Sequence, residues 1–121
     1  MFFNKLRAQR FNLLFNLLFA IFTISTPILF YESIFLSTTI LIFISIIGLI
    51  KWKSLTSLFI FIFGAISGVA SEIIAIHFGV WSYAVVNFMN VPIWLFLVWG
   101  NASAFIYQTT KEFNKIFKNS N

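Results

Sequence analysis

Between Phe11 and Ile50 the chain carries one charged residue, Glu32, and between Ser54 and Thr110 it again carries one, Glu72. Every lysine and arginine lies outside those two stretches. Lys5, Arg7 and Arg10 precede the first, Lys51 and Lys53 separate the two, and Lys111, Lys115 and Lys118 follow the second. A water-facing surface cannot be made from so few charges: soluble domains carry about 25 % charged residues, whereas this chain carries 9 % and is 60 % apolar. In lipid a helix satisfies its own backbone hydrogen bonds. The pattern therefore predicts an all-α, polytopic membrane protein folded as a four-helix transmembrane bundle. The 121 residues form one domain, with room for four spans of about 20 residues and little else.

The four spans are expected at 11–31, 34–50, 55–78 and 91–110. Met1 to Arg10 reads as a short interfacial segment leading into the membrane, because the apolar run after it exceeds the 7–15 residues of a signal-peptide core. In the first span Asn12, Asn16 and Thr23 recur at spacings of four and seven, which puts them on one helical face turned toward neighbouring helices. Pro27 kinks or ends that helix. In the third span Gly64, Gly68, Glu72, Ala75 and Gly79 follow at steps of three or four and define a narrow face for close helix approach. That face suits a helix of the same chain or a homo- or hetero-oligomeric contact through Gly64 and Gly68. The fourth span opens with Pro92 in its first turn, and the tail from Lys111 frays.

Four spans put every Lys and Arg on one side of the membrane, as the positive-inside rule prefers. Both termini are then cytoplasmic in a multi-pass protein of the cell membrane. The basic residues are expected to meet anionic lipid headgroups rather than nucleic acid, so membrane lipids are the first partners implied. No cofactor is implied. One histidine, no cysteine and one nearby carboxylate fall short of the three or four protein ligands of a metal site.

The chemistry concentrates between Gly64 and Asn101. Glu72 is expected about six residues inside the outer end of the third span, roughly 9 Å deep at 1.5 Å per residue. An acid at mid-membrane costs on the order of 2.5–3.5 kcal/mol, which protonation relieves. Two readings stand side by side. Glu72 is a candidate catalytic acid facing an outward cavity, or it is a helix-packing clamp hydrogen-bonded to Asn101 in a non-enzymatic subunit or transporter half. His77 follows Glu72 by five residues, about 140° around the helix, and reads more simply as an interfacial histidine than as part of the site. Trp81, Tyr83, Asn87, Trp94 and Trp99 gather aromatic and amide groups beside Glu72. With His77 and Asn101 they form the candidate substrate-binding set. Ring faces next to an acid suit an apolar ligand that develops cationic character.

The pattern Glu72-x6-Gly79-x-Trp81-x-Tyr83, followed by Val91-Pro92-x-Trp94 and Trp99, resembles a segment of the integral-membrane carotenoid biosynthesis proteins, namely the carotenoid 1,2-hydratase-like family and, more loosely, the membrane lycopene cyclases. The resemblance covers about a quarter of the chain. It implies an apolar isoprenoid or lipid as the small-molecule ligand and Glu72 as proton donor. The departures are length, since members of that family are about twice as long or more, and the absence of the paired acids expected of a cyclase.

Overall fold

The computed structural model describes residues 1–118. They form four helices and no strand: α1 (Phe2–Phe30), α2 (Ile34–Trp52), α3 (Leu55–His77) and α4 (Leu95–Phe117). Three of them, α1, α2 and α3, are long and apolar enough to cross a membrane.

The helix ends follow local chemistry. Ser33 caps α2 by accepting from the Leu36 N–H at 3.2 Å, and Ser54 caps α3 by accepting from Ser57 N–H at 3.1 Å. Such caps satisfy donors that the first turn leaves unpaired. Lys53 closes α2 in the left-handed region, its N–H donating to Leu49 O at 3.1 Å. Gly79, at φ 79°, closes α3: its N–H donates to Ile76 O, and that of Val80 to Ala75 O, both at 3.0 Å. This is the Schellman arrangement, which glycine adopts without a Cβ penalty.

Three boundaries differ from the sequence expectation. The basic segment before Phe11 is no separate interfacial helix but the first turns of α1, since no glycine or proline interrupts it. Pro92 lies ahead of α4 rather than in its first turn. Leu95, Phe96 and Leu97 donate to Pro92, Ile93 and Trp94 O, a run of tight turns that leads into the helix at Leu95. At the other end α4 does not fray at Lys111 but continues to Phe117, because Glu112 and Ile116 are buried there. The terminal Asn119, Ser120 and Asn121 lie outside the described residues.

The outside is apolar, unlike the surface of a soluble protein, and polar side chains are gathered within. Phe35, Phe63, Ile66 and Leu29 lie outside, whereas Asn16, Thr23, Ser37, Ser45, Ser57, Asn101 and Gln108 are buried. A chain whose solvent is hydrocarbon gains nothing by hiding leucine, but it must pair its polar groups internally. The pairs fix the register. Asn12 with Glu112, Asn16 with Thr109, and Thr23 with Asn101 run antiparallel along α1 and α4. Ser57 with Gln108 does the same for α3 and α4, and Ser45 with Asn101 ties α2 to α4.

Helix α4 packs against each of the other three, most extensively against α3. Among the described residues α1 and α3 do not pack against one another. The Gly64/Gly68 face is filled from within the chain. A Cβ at Gly64 would overlap Ser103, and one at Gly68 would overlap the Trp99 indole. An apolar cluster of Leu41, Val69, Val91, Trp94 and Leu95 closes the end of the bundle that carries the 78–94 loop.

Candidate functional site

Glu72 lies on α3 one turn beyond Gly68, on the same face. Because Gly68 has no side chain, the Trp99 indole lies directly on the α3 backbone there. Its Nε1–H thereby reaches Glu72 and donates to Oε2. The other carboxylate oxygen, Oε1, accepts from the Tyr83 hydroxyl. Glu72 is 8 % exposed. It therefore joins three pieces of chain: α3, the loop and α4.

Tyr83 is brought to Glu72 by a loop with structure of its own. Phe88 and Val91 exchange backbone hydrogen bonds at 3.0 and 2.8 Å around Met89 and Asn90, whose φ values are 46° and 66°. Positive φ at both central positions is the hairpin-turn geometry that matches strand twist. The Asn87 Oδ1 accepts from the Ile93 N–H at 2.8 Å, which holds the hairpin to the entry of α4. The Tyr83 ring then meets Trp94 edge to face, with centroids 5.9 Å apart. Burial, and after it the Glu72 carboxylate, push the Tyr83 phenol well above its ordinary value, since both disfavour a phenolate.

Of the candidate residues, Glu72, Tyr83, Trp94 and Trp99 come together. The others do not join them. Asn101 is 1 % exposed, but it lies deeper in the bundle and belongs to a different network. Its Oδ1 accepts from Ser45 Oγ at 2.7 Å, and its Nδ2 donates to Thr23 Oγ1 at 3.2 Å. The expected Glu72–Asn101 clamp is thus replaced by Glu72–Trp99. Asn101 is two residues further along α4, about 200° around the helix from Trp99, and faces α1 and α2 instead of α3. His77 is exposed and meets the Phe78 ring edge to face at 5.1 Å. Trp81 is 47 % exposed, and Asn87 braces the loop.

A groove of about 420 Å³ runs beside this cluster. Ile24, Pro27 and Ile28 of α1 form one wall, and Tyr83, Trp94 and Val98 the other. Glu72 does not line it; Tyr83, which Glu72 holds, does. The Trp94 Nε1 is buried without a hydrogen-bond partner among the described residues.

Sequence reasoning passed over a second polar cluster, at the opposite end of the bundle, around Glu112. Glu112 is 5 % exposed, and its Oε1 accepts from Asn12 at 3.3 Å and Lys115 at 3.4 Å. The signal was present: Asn101, Gln108 and Glu112 fall at steps of seven and four, one face of a helix. Reading Lys111 onward as a frayed tail hid it.

Comparison of the chain with protein-family models, with curated proteins and with solved structures finds no match.

Proposed function

We propose that the protein is a four-span membrane protein that binds an apolar isoprenoid or lipid chain in the groove between α1 and the 78–94 loop. The observation that carries this reading is the groove itself. Its volume of about 420 Å³ and its walls of aliphatic and aromatic side chains, with the Tyr83 ring among them, fit the usual make-up of a small-molecule site, mostly apolar with few polar groups. The resemblance of the Glu72–Trp99 segment to carotenoid biosynthesis proteins supports an isoprenoid in particular.

In this reading α4 is the fourth span. It is the least apolar helix because it is the innermost, and its amides and carboxylate face protein rather than lipid. All basic residues then stand at the end formed by the termini and the α2–α3 turn, which the positive-inside rule assigns to the cytoplasm. The groove opens at the outer end. Glu72 acts through Tyr83, because both of its oxygens are engaged by protein donors. A proton passing between Glu72 and a bound chain travels by way of the Tyr83 hydroxyl.

That same double engagement favours a second reading, in which Glu72 is a structural clamp in a non-enzymatic subunit and the groove holds only bulk lipid. Photolabelling of the purified protein with a diazirine-bearing farnesyl analogue separates the two. Binding in the groove predicts labelling on the α1 and loop walls, competition by unlabelled isoprenoid but not by phosphatidylcholine, and loss of labelling in Ile28→Trp, which fills the groove from a lipid-facing position. Labelling spread evenly over the apolar surface and indifferent to competitor would leave the clamp.

A further inference from the structure

The Glu112 end holds a cavity of about 170 Å³ that the groove reading does not use. Lys51, Lys111 and Lys115 line it together with Asn12, Trp52 and Glu112. We propose that this cavity binds a phosphate ester bearing a free hydroxyl, the headgroup chemistry of phosphatidylglycerol, with the lysines on the phosphate and Glu112 Oε2 accepting from the hydroxyl.

Charge supplies the first argument. Lys115 with Glu112 is the one ion pair among the described residues. The Lys51 and Lys111 ammonium groups rest against the Phe15 and Tyr107 rings, each 5.5 Å from the centroid, and neither forms an ion pair among the described residues. Three cations against one buried acid leave an excess of positive charge that attracts an anion.

The second argument is the unpaired acceptor. Glu112 is 5 % exposed, and its Oε2 is buried without a hydrogen-bond partner among the described residues, a costly arrangement for a carboxylate. Asn12 and Lys115 both engage the other oxygen, so Oε2 is left for a donor that the described residues do not supply. The cavity has room for far more than one water, whose share of liquid volume is about 30 Å³. The ionised oxygens of a phosphate would set like charge on like against Oε2. A ligand that satisfies both features carries a donor next to its negative charge.

Location supplies the third. The cavity lies at the end of the bundle that gathers all the basic residues, and the indole of Trp52 forms one of its walls. Trp52 is fixed there by donating from Nε1 to Asn16 Oδ1 at 3.0 Å. Tryptophan at a helix end marks the headgroup level of a bilayer. Lys51 and Lys115 are exposed at the rim, so a headgroup enters from the side without parting the helices.

The test is native mass spectrometry of the full chain released from phosphatidylcholine vesicles containing equal amounts of phosphatidylglycerol and phosphatidic acid. The expected result is retention of one phosphatidylglycerol in preference to phosphatidic acid. Lys111→Gln should weaken that retention about tenfold, as loss of a charge-assisted hydrogen bond does, while Lys118→Gln, exposed and outside the cavity, leaves it unchanged. Glu112→Gln turns an acceptor into a donor at Oε2 and should abolish the preference for phosphatidylglycerol without a like loss of phosphatidic acid. Glycerol phosphate identifies the source: displacement of the lipid means that the headgroup chemistry suffices, and failure to displace means that the lipid chains contribute. Equal effects of Lys111→Gln and Lys118→Gln, or no preference between the two lipids in the wild type, would reduce the site to diffuse surface attraction and overturn the proposal. Because the cavity and the isoprenoid groove lie at opposite ends of the bundle, Ile28→Trp serves as a control that leaves headgroup retention intact.

Discussion

Substituting Gly68 by alanine tests the geometry on which the Glu72 site depends. The added Cβ would overlap the Trp99 indole, which must retreat by roughly 1 Å or more to restore a carbon–carbon contact near 3.5 Å. Overpacking of this kind costs about 1–3 kcal/mol. Retreat also pulls Nε1 from Glu72, and a helix–helix hydrogen bond within a membrane contributes about 0.6 kcal/mol on average and up to about 1.7. Better helix propensity returns at most about 1 kcal/mol. The net expectation is a loss of about 1–4 kcal/mol, summed from those terms. Reversible unfolding in mixed micelles, titrated with a denaturing detergent, measures it. The decisive arm is a double-mutant cycle with Glu72→Gln. If Gly68→Ala has already broken the Trp99–Glu72 bond, the second substitution costs less in that background than alone. Wild-type stability in Gly68→Ala, or effects that add within about 0.3–0.5 kcal/mol as independent sites do, would refute the seating of Trp99 on Gly68.

Asn101→Ala removes two hydrogen bonds and should cost about 1 kcal/mol at roughly 0.6 kcal/mol each; combined with Glu72→Gln it should be additive, because the two residues sit in separate networks. Tyr83 should stay protonated in an alkaline titration carried past pH ~10, where an unperturbed phenol ionises. Because its folded-state pKa is raised, its contribution to stability is complete below the unfolded value and declines as pH rises above it. Ultraviolet tyrosinate absorbance, compared with Tyr83→Phe, reads this directly, and ionisation of all the tyrosines together before unfolding would contradict it. The chain has no cysteine, so single cysteines placed at Ser82 and Asn114 report topology cleanly. An impermeant thiol reagent should reach Ser82→Cys from outside only and Asn114→Cys from inside only, and labelling of both from one side would remove α4 as a span.

The helices were legible because their signals are compositional. Apolar runs of spanning length can be read without knowing the neighbours. So can the face Gly64, Gly68 and Glu72, which α4 does cover. The site was legible only in part. Glu72 and Trp99 could be brought to the same helix pair by depth, but depth does not fix rotation. Two residues of separation send Trp99 toward α3 and Asn101 toward α1 and α2, and nothing in residue type announces which. Tyr83 depended on a hairpin whose left-handed Met89 is not a turn-forming residue, so its return to Glu72 carried no local signature. Glu112 was missed for the opposite reason. Its basic neighbours look solvated in sequence, whereas its partner Asn12 stands near the far end of the chain.

The central place of α4 has a consequence for how the bundle comes into being. Helices α1, α2 and α3 are each apolar enough to enter a bilayer as they leave the ribosome, but α1 and α3 have no packing surface for one another. Until α4 follows them, Thr23, Ser45, Ser57 and Glu72 lack the interhelical donors and acceptors that α4 supplies. Helix insertion and helix association are separable steps in membranes, and here completion of the second waits on α4. Helices α1 and α2 can pair before α4 is made, but α3 packs chiefly against it, and a chain cut short before Leu95 would leave Thr23, Ser45, Ser57 and Glu72 without these α4 partners.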